Sequence, residues 1–115
     1  MAALQGPTSV ATITVHKATL TSGPTGGVIK GAEIDQLTAV ALRQAGSDIV
    51  VCGGDVKMNR AQAQAIEAAV GPYQRHVPHL QSAGPWALPH FQQINPPPEG
   101  HSFYETANRK ARKKP

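Results

Sequence analysis

Two histidines in the last third of the chain, His90 and His101, carry the side chain whose charge changes closest to neutral pH. They lie in the block ALPHFQQINPPPEGHSFYE, residues 87–105. The block predicts two short strands, about 86–92 and 101–105, joined by a loop with three consecutive prolines, which cannot donate to a strand ladder. The sequence therefore predicts that the two histidines lie on adjacent strands.

The register of this strand pair decides whether the two imidazoles meet. Alternate residues of a strand share a face. If Gln92 pairs with His101, then His90 lies opposite Phe103 and both histidines point to one side. Diagonal neighbours of this kind are roughly 7–8 Å apart, and a phosphate group fits between them. A slip of one residue would place the histidines on opposite faces.

A histidine pair beside a phosphate can perform both proton transfers that RNA cleavage without a metal requires. One imidazole takes the proton of the 2′-hydroxyl, and the other protonates the departing 5′-oxygen. Glu105 shares a strand face with His101, and it could orient that ring or serve as the base. Cations must stabilise the charge on the phosphate; the candidates are Arg75, the nearest arginine that precedes the two strands, and otherwise Lys57 or Arg60. The predicted catalytic residues are therefore His90, His101, Glu105 and Arg75, against the plainer interpretation of ordinary surface or hydrogen-bonded histidines.

A second histidine pair lies in the segment RHVPH, where His76 and His79 are three residues apart. Pro78 favours an extended segment, in which these two side chains point to opposite sides. A metal site would then need distant partners such as His90 or His101. We therefore predict no metal ligand and no cofactor, and we interpret this segment as a polar loop at the rim of the site.

The positive charge of the chain is concentrated near its C-terminus. The formal net charge is +4, yet residues 109–115, RKARKKP, hold five of the eleven cations. The rest has six cations against seven acidic residues, a net charge of −1. Such a run is usually solvated, but it can also bind phosphates, with Phe103 or Tyr104 either stacking on bases or packing in the core. The predicted substrate-binding residues are His79, Tyr104, Arg109, Lys110 and Arg112.

Hydrophobic periodicity predicts an α+β fold, in which two helices pack on one face of a small antiparallel sheet. Residues 10–15 alternate as in a half-buried strand, and residues 48–52 form a short apolar run typical of a buried strand. Apolar residues recur at helical spacing over 30–45 and again over 59–70. The helices thus come before the strands that carry the histidines.

The 115 residues are enough for one domain of ordinary size. We divide them into a linker and first strand (1–27), a main domain (28–108) and a basic tail (109–115). The single cysteine, Cys52, rules out an internal disulfide and a zinc site with two thiolates, and its apolar surroundings predict burial. Apolar runs are too short for a membrane anchor, and the first residues lack the cationic start and apolar core of a signal peptide.

Several segments together resemble a C-terminal toxin domain of bacterial polymorphic toxins, the variable ends of Rhs-type, contact-dependent and type VI secreted effectors. They are DIVVCGGDVKMNRAQAQAIEAAVG, RHVPH, GPWALPHFQ, PPPEGHSFYE and NRKARKK, within about residues 47–114. The resemblance implies a nuclease of the ribonuclease kind, secreted or delivered, that acts in the cytoplasm of a target cell. It also implies a cognate immunity protein. We expect that protein to be acidic, because an inhibitor that covers a phosphate site competes with the same charge.

The leading hypothesis is a metal-independent endoribonuclease toxin domain with RNA as its substrate. The nearest alternative is a metal-dependent nuclease with ligands among His76, His79, His90 and His101, and sensitivity to EDTA separates the two. Outside the enzymes, the alternatives are a nucleic-acid-binding or adaptor module that acts through residues 109–115, and a structural piece of a secretion apparatus. For the binding module, loss of the tail would abolish function and loss of the histidines would not.

Overall fold

The computed structural model of the chain describes residues 13–21, 27–76 and 88–113. In these ranges the elements follow the chain as β1 (Thr14–Thr21), β2 (Gly27–Ile34), α1 (Gln36–Gln44), β3 (Ile49–Cys52), α2 (Val56–Val70), β4 (Tyr73–His76), β5 (His90–Gln93), β6 (Ser102–Tyr104) and β7 (Arg112–Lys113). The described strands form one seven-stranded sheet in the order β4-β5-β6-β3-β1-β2-β7. Neither helix is long and apolar enough to cross a membrane.

The sheet is mixed, so the predicted small antiparallel sheet preceded by two helices is wrong. β3 runs parallel to β6 and β2 runs parallel to β7, while the other neighbours are antiparallel. The helices alternate with strands along the chain instead of preceding them. β3 and β6 can run parallel because the chain between them returns to the end of the sheet at which β3 begins. It does so through α2, β4 and β5. The fold remains broadly α+β.

The helix predicted over 30–45 is shorter, because residues 30–34 belong to β2 and pair with β1. Asp35 separates the two elements. Its carboxylate accepts a hydrogen bond from the amide of Thr38 at 2.7 Å, which caps the start of α1. Although Leu37 is one of the apolar residues of this helix, it is 81% exposed, while Arg43 is fully buried.

The helix predicted over 59–70 is confirmed as α2, which begins three residues earlier. Its cap is Asp55, whose carboxylate accepts the amide of Met58 at 2.8 Å. Asn59, at which the predicted helix began, is instead buried within α2. Its side-chain amide accepts from the N–H of Gly54 and donates to the carbonyl of Glu105, so it joins the start of α2 to the end of β6.

The strand predicted over 48–52 is confirmed as β3, whose four residues are all buried. The strand predicted over 10–15 lies partly outside the described residues, and β1 runs from Thr14 to Thr21. β1 is placed between β2 and β3. The boundary that we predicted between the linker and first strand (1–27) and the main domain (28–108) falls directly after the first residue of β2.

Strand alternation divides the apolar core into two layers. On one side of the sheet, the helix face, Ile49 and Val51 pack against both helices. On the other side, the opposite face, Val50 and Cys52 pack against a second set of buried residues that includes Phe103. Each side chain of β6 is therefore assigned to the helix face or to the opposite face by its place in the alternation.

A buried ion pair crosses the helix layer and ties it to the sheet. The side chains of Arg43 on α1 and Glu67 on α2 are both 0% exposed and are joined by two hydrogen bonds of 2.9 and 3.0 Å. All five N–H groups of the guanidinium are used, because three more bonds go to main-chain carbonyls, those of Ser47, Glu99 and Gly100. The Glu67 carboxylate also accepts from Gln93 on β5 and Ser102 on β6.

Replacing Glu67 by glutamine should strongly destabilise the chain, because it leaves the guanidinium of Arg43 buried without a counter-charge. Removing one partner of a buried pair costs about 3–5 kcal/mol, which urea denaturation measures as a lower free energy of unfolding. Glu33→Gln, at an exposed carboxylate on β2, is the control and should change stability by less than about 0.5 kcal/mol. A loss below about 1 kcal/mol in Glu67→Gln would contradict the structural role of the pair.

Candidate active site

The strand pair that carries the two predicted histidines forms in the register that the proposed histidine pair requires. β5 and β6 are antiparallel, with His90 opposite Phe103 and Phe91 opposite Ser102, so this pairing is confirmed. β4 adds His76 directly opposite His90. The opposite face therefore carries His76, His90 and Phe103 in a row across three neighbouring strands.

The rings of His76, His90 and His101 are in contact and form a histidine cluster. The centroids of His76 and His90 are 5.3 Å apart with nearly parallel planes, and those of His90 and His101 are 4.6 Å apart, edge to face. Phe103 lies 5.2 Å from His90 and 5.1 Å from His101. These contacts correct the expected arrangement, because rings that touch leave no room for a phosphate between them. A phosphate can reach the cluster only from its solvent side.

His101 is held by Asp48, a residue outside the predicted site. Its Nδ1 lies 2.9 Å from Asp48 Oδ1, and the same oxygen accepts the main-chain N–H of His101 at 2.8 Å. Because a carboxylate only accepts hydrogen bonds, the ring proton lies on Nδ1. Nε2 is then the atom that can exchange a proton with a ligand. The side chains of His101 and Asp48 are 30% and 22% exposed, so the pair is accessible from solvent.

The parallel pairing of β3 with β6 brings these two residues together. Ile49 lies beside Ser102, and its main-chain N–H donates to the carbonyl of His101 at 3.0 Å. Asp48 and His101 each precede the first residue of their strand, so they meet at the same end of the sheet. An antiparallel pair would have placed these two residues at opposite ends. The only signal in the sequence was an aspartate directly before a buried strand.

His90 lies deeper in the cluster and is neutral at neutral pH. Burial is the main reason why its pKa is lowered to about 4, and the neighbouring His101 acts in the same direction. Gln92 acts in the opposite direction through its Oε1, which lies 3.0 Å from Nε2 of His90. Nδ1 of His90 and Nε2 of His76 are buried and have no hydrogen-bond partner of normal geometry among the described residues. His90 is therefore a neutral ring that packs against His101.

The other two predicted catalytic residues lie elsewhere. Glu105 is buried at the far end of β6, where its carboxylate accepts the main-chain N–H groups of Gly53 at 3.3 Å and Ala111 at 2.9 Å. It fixes the segment after β6 to the end of β3. Arg75 is exposed on the side of β4 that faces away from His76, because adjacent residues of a strand alternate.

The predicted substrate-binding residues are dispersed. Tyr104 is 3% exposed and packs on Phe91 in the helix face, so its ring is core and offers no surface to a base. The segment after β6 is attached to the sheet, because Ala111 is buried and β7 pairs with β2. Within it Lys110 is exposed, whereas Arg109 and Arg112 are engaged in interactions. His79 lies outside the described residues.

Neither a metal centre nor a cysteine nucleophile is apparent in the part of the chain that the structure describes. Within 13–21, 27–76 and 88–113, no three histidine, cysteine, aspartate or glutamate side chains converge as metal ligands would. The burial predicted for Cys52 is confirmed. Burial, with a smaller contribution from the Glu105 carboxylate, raises the pKa of this thiol to about 12. The thiol is therefore protonated at neutral pH and is a weak nucleophile.

Comparison of the chain with protein-family models, with curated proteins and with solved structures found no match. The histidine cluster and Asp48 are therefore the features of the molecule that point to a function.

Acidification should destabilise the fold through His90. The pKa of His90 is about 4 in the folded chain, against an ordinary value of 6.5, so the unfolded chain binds more protons between these two values. The contribution of the neutral His90 to the free energy of unfolding is therefore complete above pH 6.5, and it is lost as the pH falls towards 4. His90→Phe keeps an aromatic ring beside His76 and His101 but cannot titrate.

Urea-unfolding midpoints between pH 7 and pH 4 measure this effect. The decrease on acidification should be smaller in His90→Phe than in the parent chain. It should be unchanged in His16→Gln, which removes a histidine of β1 that is bonded to Thr14 and Gly31 and not to the cluster. Equal decreases in the parent chain and His90→Phe would contradict the burial of a neutral His90.

Proposed function

We propose that the chain is a metal-independent endoribonuclease domain in which His101 transfers the proton and Asp48 positions it. The observation that carries the proposal is the partly exposed imidazole of His101, whose Nδ1 is bound to the Asp48 carboxylate. A histidine fixed in one tautomer by a carboxylate is a common general-base arrangement. The resemblance of residues 47–114 to polymorphic-toxin domains supports RNA as the substrate.

In the proposed reaction, Nε2 of His101 takes the proton of a ribose 2′-hydroxyl. The 2′-oxygen attacks the adjacent phosphorus, the bond to the 5′-oxygen breaks, and water protonates the leaving 5′-oxygen; the hydroxide that remains takes the proton back from Nε2 of His101. The products are a 2′,3′-cyclic phosphate and a 5′-hydroxyl. Asp48 keeps the ring in place and stabilises the imidazolium that forms. His90 does not fill the acid role first expected for one of the pair, because a group with a pKa of about 4 is not protonated at neutral pH.

His90 and Phe103 support His101 by packing, and His90 also remains uncharged at neutral pH. His90 and Phe103 both contact the His101 ring and limit its rotation. A charged His90 at a centroid distance of 4.6 Å would oppose the positive charge that His101 acquires during the reaction. Because burial keeps His90 neutral, the positive charge forms on the accessible ring of His101 and not on His90.

In the biological setting that we propose, the domain is delivered into a competing cell and is neutralised in the producing cell by an acidic immunity protein. The resemblance to toxin domains supports this setting. The exposed cation Lys110 and the accessible His101 are groups that carboxylates on such a partner would complement.

Replacing His101 by alanine should lower kcat for RNA cleavage about 10²–10⁴-fold, the usual contribution of one acid–base group. Asp48→Asn should also lower kcat strongly, because an amide can donate to Nδ1 and so place the ring proton on Nε2. The assay uses a fluorogenic RNA oligonucleotide at saturating concentration, with and without EDTA, which should have no effect. His16→Gln should retain the parent rate. Cleavage by His101→Ala at the parent rate would contradict the mechanism.

Replacing Lys110 by glutamine should weaken RNA binding without changing kcat at saturating substrate. A phosphate contact is the same in the ground state and the transition state, so it contributes to KM alone. The slope of log Kd against log salt concentration should fall by about 0.7, the value for one contact to a single strand. Fluorescence anisotropy in the His101→Ala background measures binding without cleavage, with Lys17→Gln, at an exposed lysine of β1, as the control. An unchanged salt slope would show that Lys110 does not contact RNA.

A further inference from the structure

A groove of about 560 Å³ lies beside the two segments that carry Asp48 and His101. Its wall on the α1 side is formed by Gln44, Ala45 and Gly46, and its other wall by Pro97, Pro98 and Glu99. Asp48 follows the first wall by two residues, and His101 follows the second wall by two residues. Two residues of chain span at most about 7 Å, so each wall lies within about that distance of the main chain of Asp48 or of His101.

The two walls are held in a fixed relation by Arg43. Its guanidinium donates to the carbonyls of Ser47 and Gly100 and to that of Glu99 itself. Gly100 has φ +97°, and a Cβ there would lie 2.7 Å from Arg43 Nη1 and 2.8 Å from the carbonyl oxygen of Gly46. The segments therefore approach as closely as their backbones allow, and the groove is formed before any ligand binds.

The chemistry of the walls matches one of the four RNA bases. The rings of Pro97 and Pro98 offer an apolar surface of the kind on which a flat base can stack. The exposed Glu99 carboxylate is an acceptor only. Guanine is the RNA base whose pairing edge presents two adjacent donors, N1–H and N2–H, to such a carboxylate. Gln44, in the other wall, has a side-chain amide that can donate to the neighbouring O6.

We infer that this groove binds a guanine base of the RNA substrate, so that the chain cleaves next to guanosine; the inference rests on the proposed ribonuclease function. The base lies between the proline wall and the α1 wall, and its own 3′-phosphate reaches His101. Glu99 is the residue that determines specificity, because adenine, cytosine and uracil offer its carboxylate one donor group where guanine offers two.

The test is a titration of the full chain with each of the four 3′-nucleoside monophosphates, followed by amide NMR shifts at Ala45 and Gly46. The 3′-guanosine monophosphate should bind at least ten-fold more tightly than the other three. Glu99→Gln should weaken its binding about ten-fold, the effect of losing a hydrogen bond to a charged group. The matched control Glu33→Gln should leave it unchanged. Equal affinity for all four nucleotides, or no effect of Glu99→Gln, would overturn the inference.

Cleavage of RNA oligonucleotides that differ only in one base separates this inference from the proposed function. Cleavage that depends on His101 but ignores the base would overturn the guanine site and leave the ribonuclease intact. Selective binding of the guanosine nucleotide without cleavage of any RNA would support the groove and overturn the proposed function.

Discussion

The ion pair between Arg43 and Glu67 is the interaction on which the positions of the other elements depend. A charge that is taken out of water is strongly destabilising unless its donors and acceptors all have partners. The guanidinium meets this condition only when α1, α2 and the chain before β6 are all in place, because it binds the carboxylate of α2 and carbonyls from both flanking segments. The same carboxylate accepts hydrogen bonds from β5 and β6. The helices and the strands of the candidate site therefore take up their positions together.

The candidate site is a consequence of this arrangement. The carbonyls of Glu99 and Gly100, which Arg43 binds, directly precede His101. The close approach at Gly100 then brings β6 alongside β3 in the parallel direction, and the residues that precede the two strands become neighbours. The contact between Asp48 and His101 thus depends on a buried guanidinium on the other side of the sheet.

Three identical side chains have different chemistry in the histidine cluster because their burial and partners differ. His101 is bound to a carboxylate and is accessible from solvent. His90 faces an amide, is more deeply buried and stays neutral. His76 stacks on His90 at the edge strand β4. The accessible ring of His101 is therefore packed against a neutral ring, that of His90, and no additional charge is placed beside it.

The sequence alone determined the features that depend on residues close to one another in the chain. Strand alternation and the proline loop were enough to predict two strands that carry His90 and His101, although they left the register open, and the apolar run that ends at Cys52 was enough to predict β3. The end predicted for the second helix, at residue 70, is also the end of α2.

Tertiary structure decided which strands became partners and which charges were buried. Charged residues such as Arg43 and Glu67 are expected at the surface, and only the complete set of partners makes their burial stable. Periodicity likewise shows which face a residue takes, but it does not show whether two distant strands run in the same direction. That direction depends on the path of the intervening helix and strands. It brought Asp48 to His101, and it left Glu105 at the far end of the strand as a structural anchor.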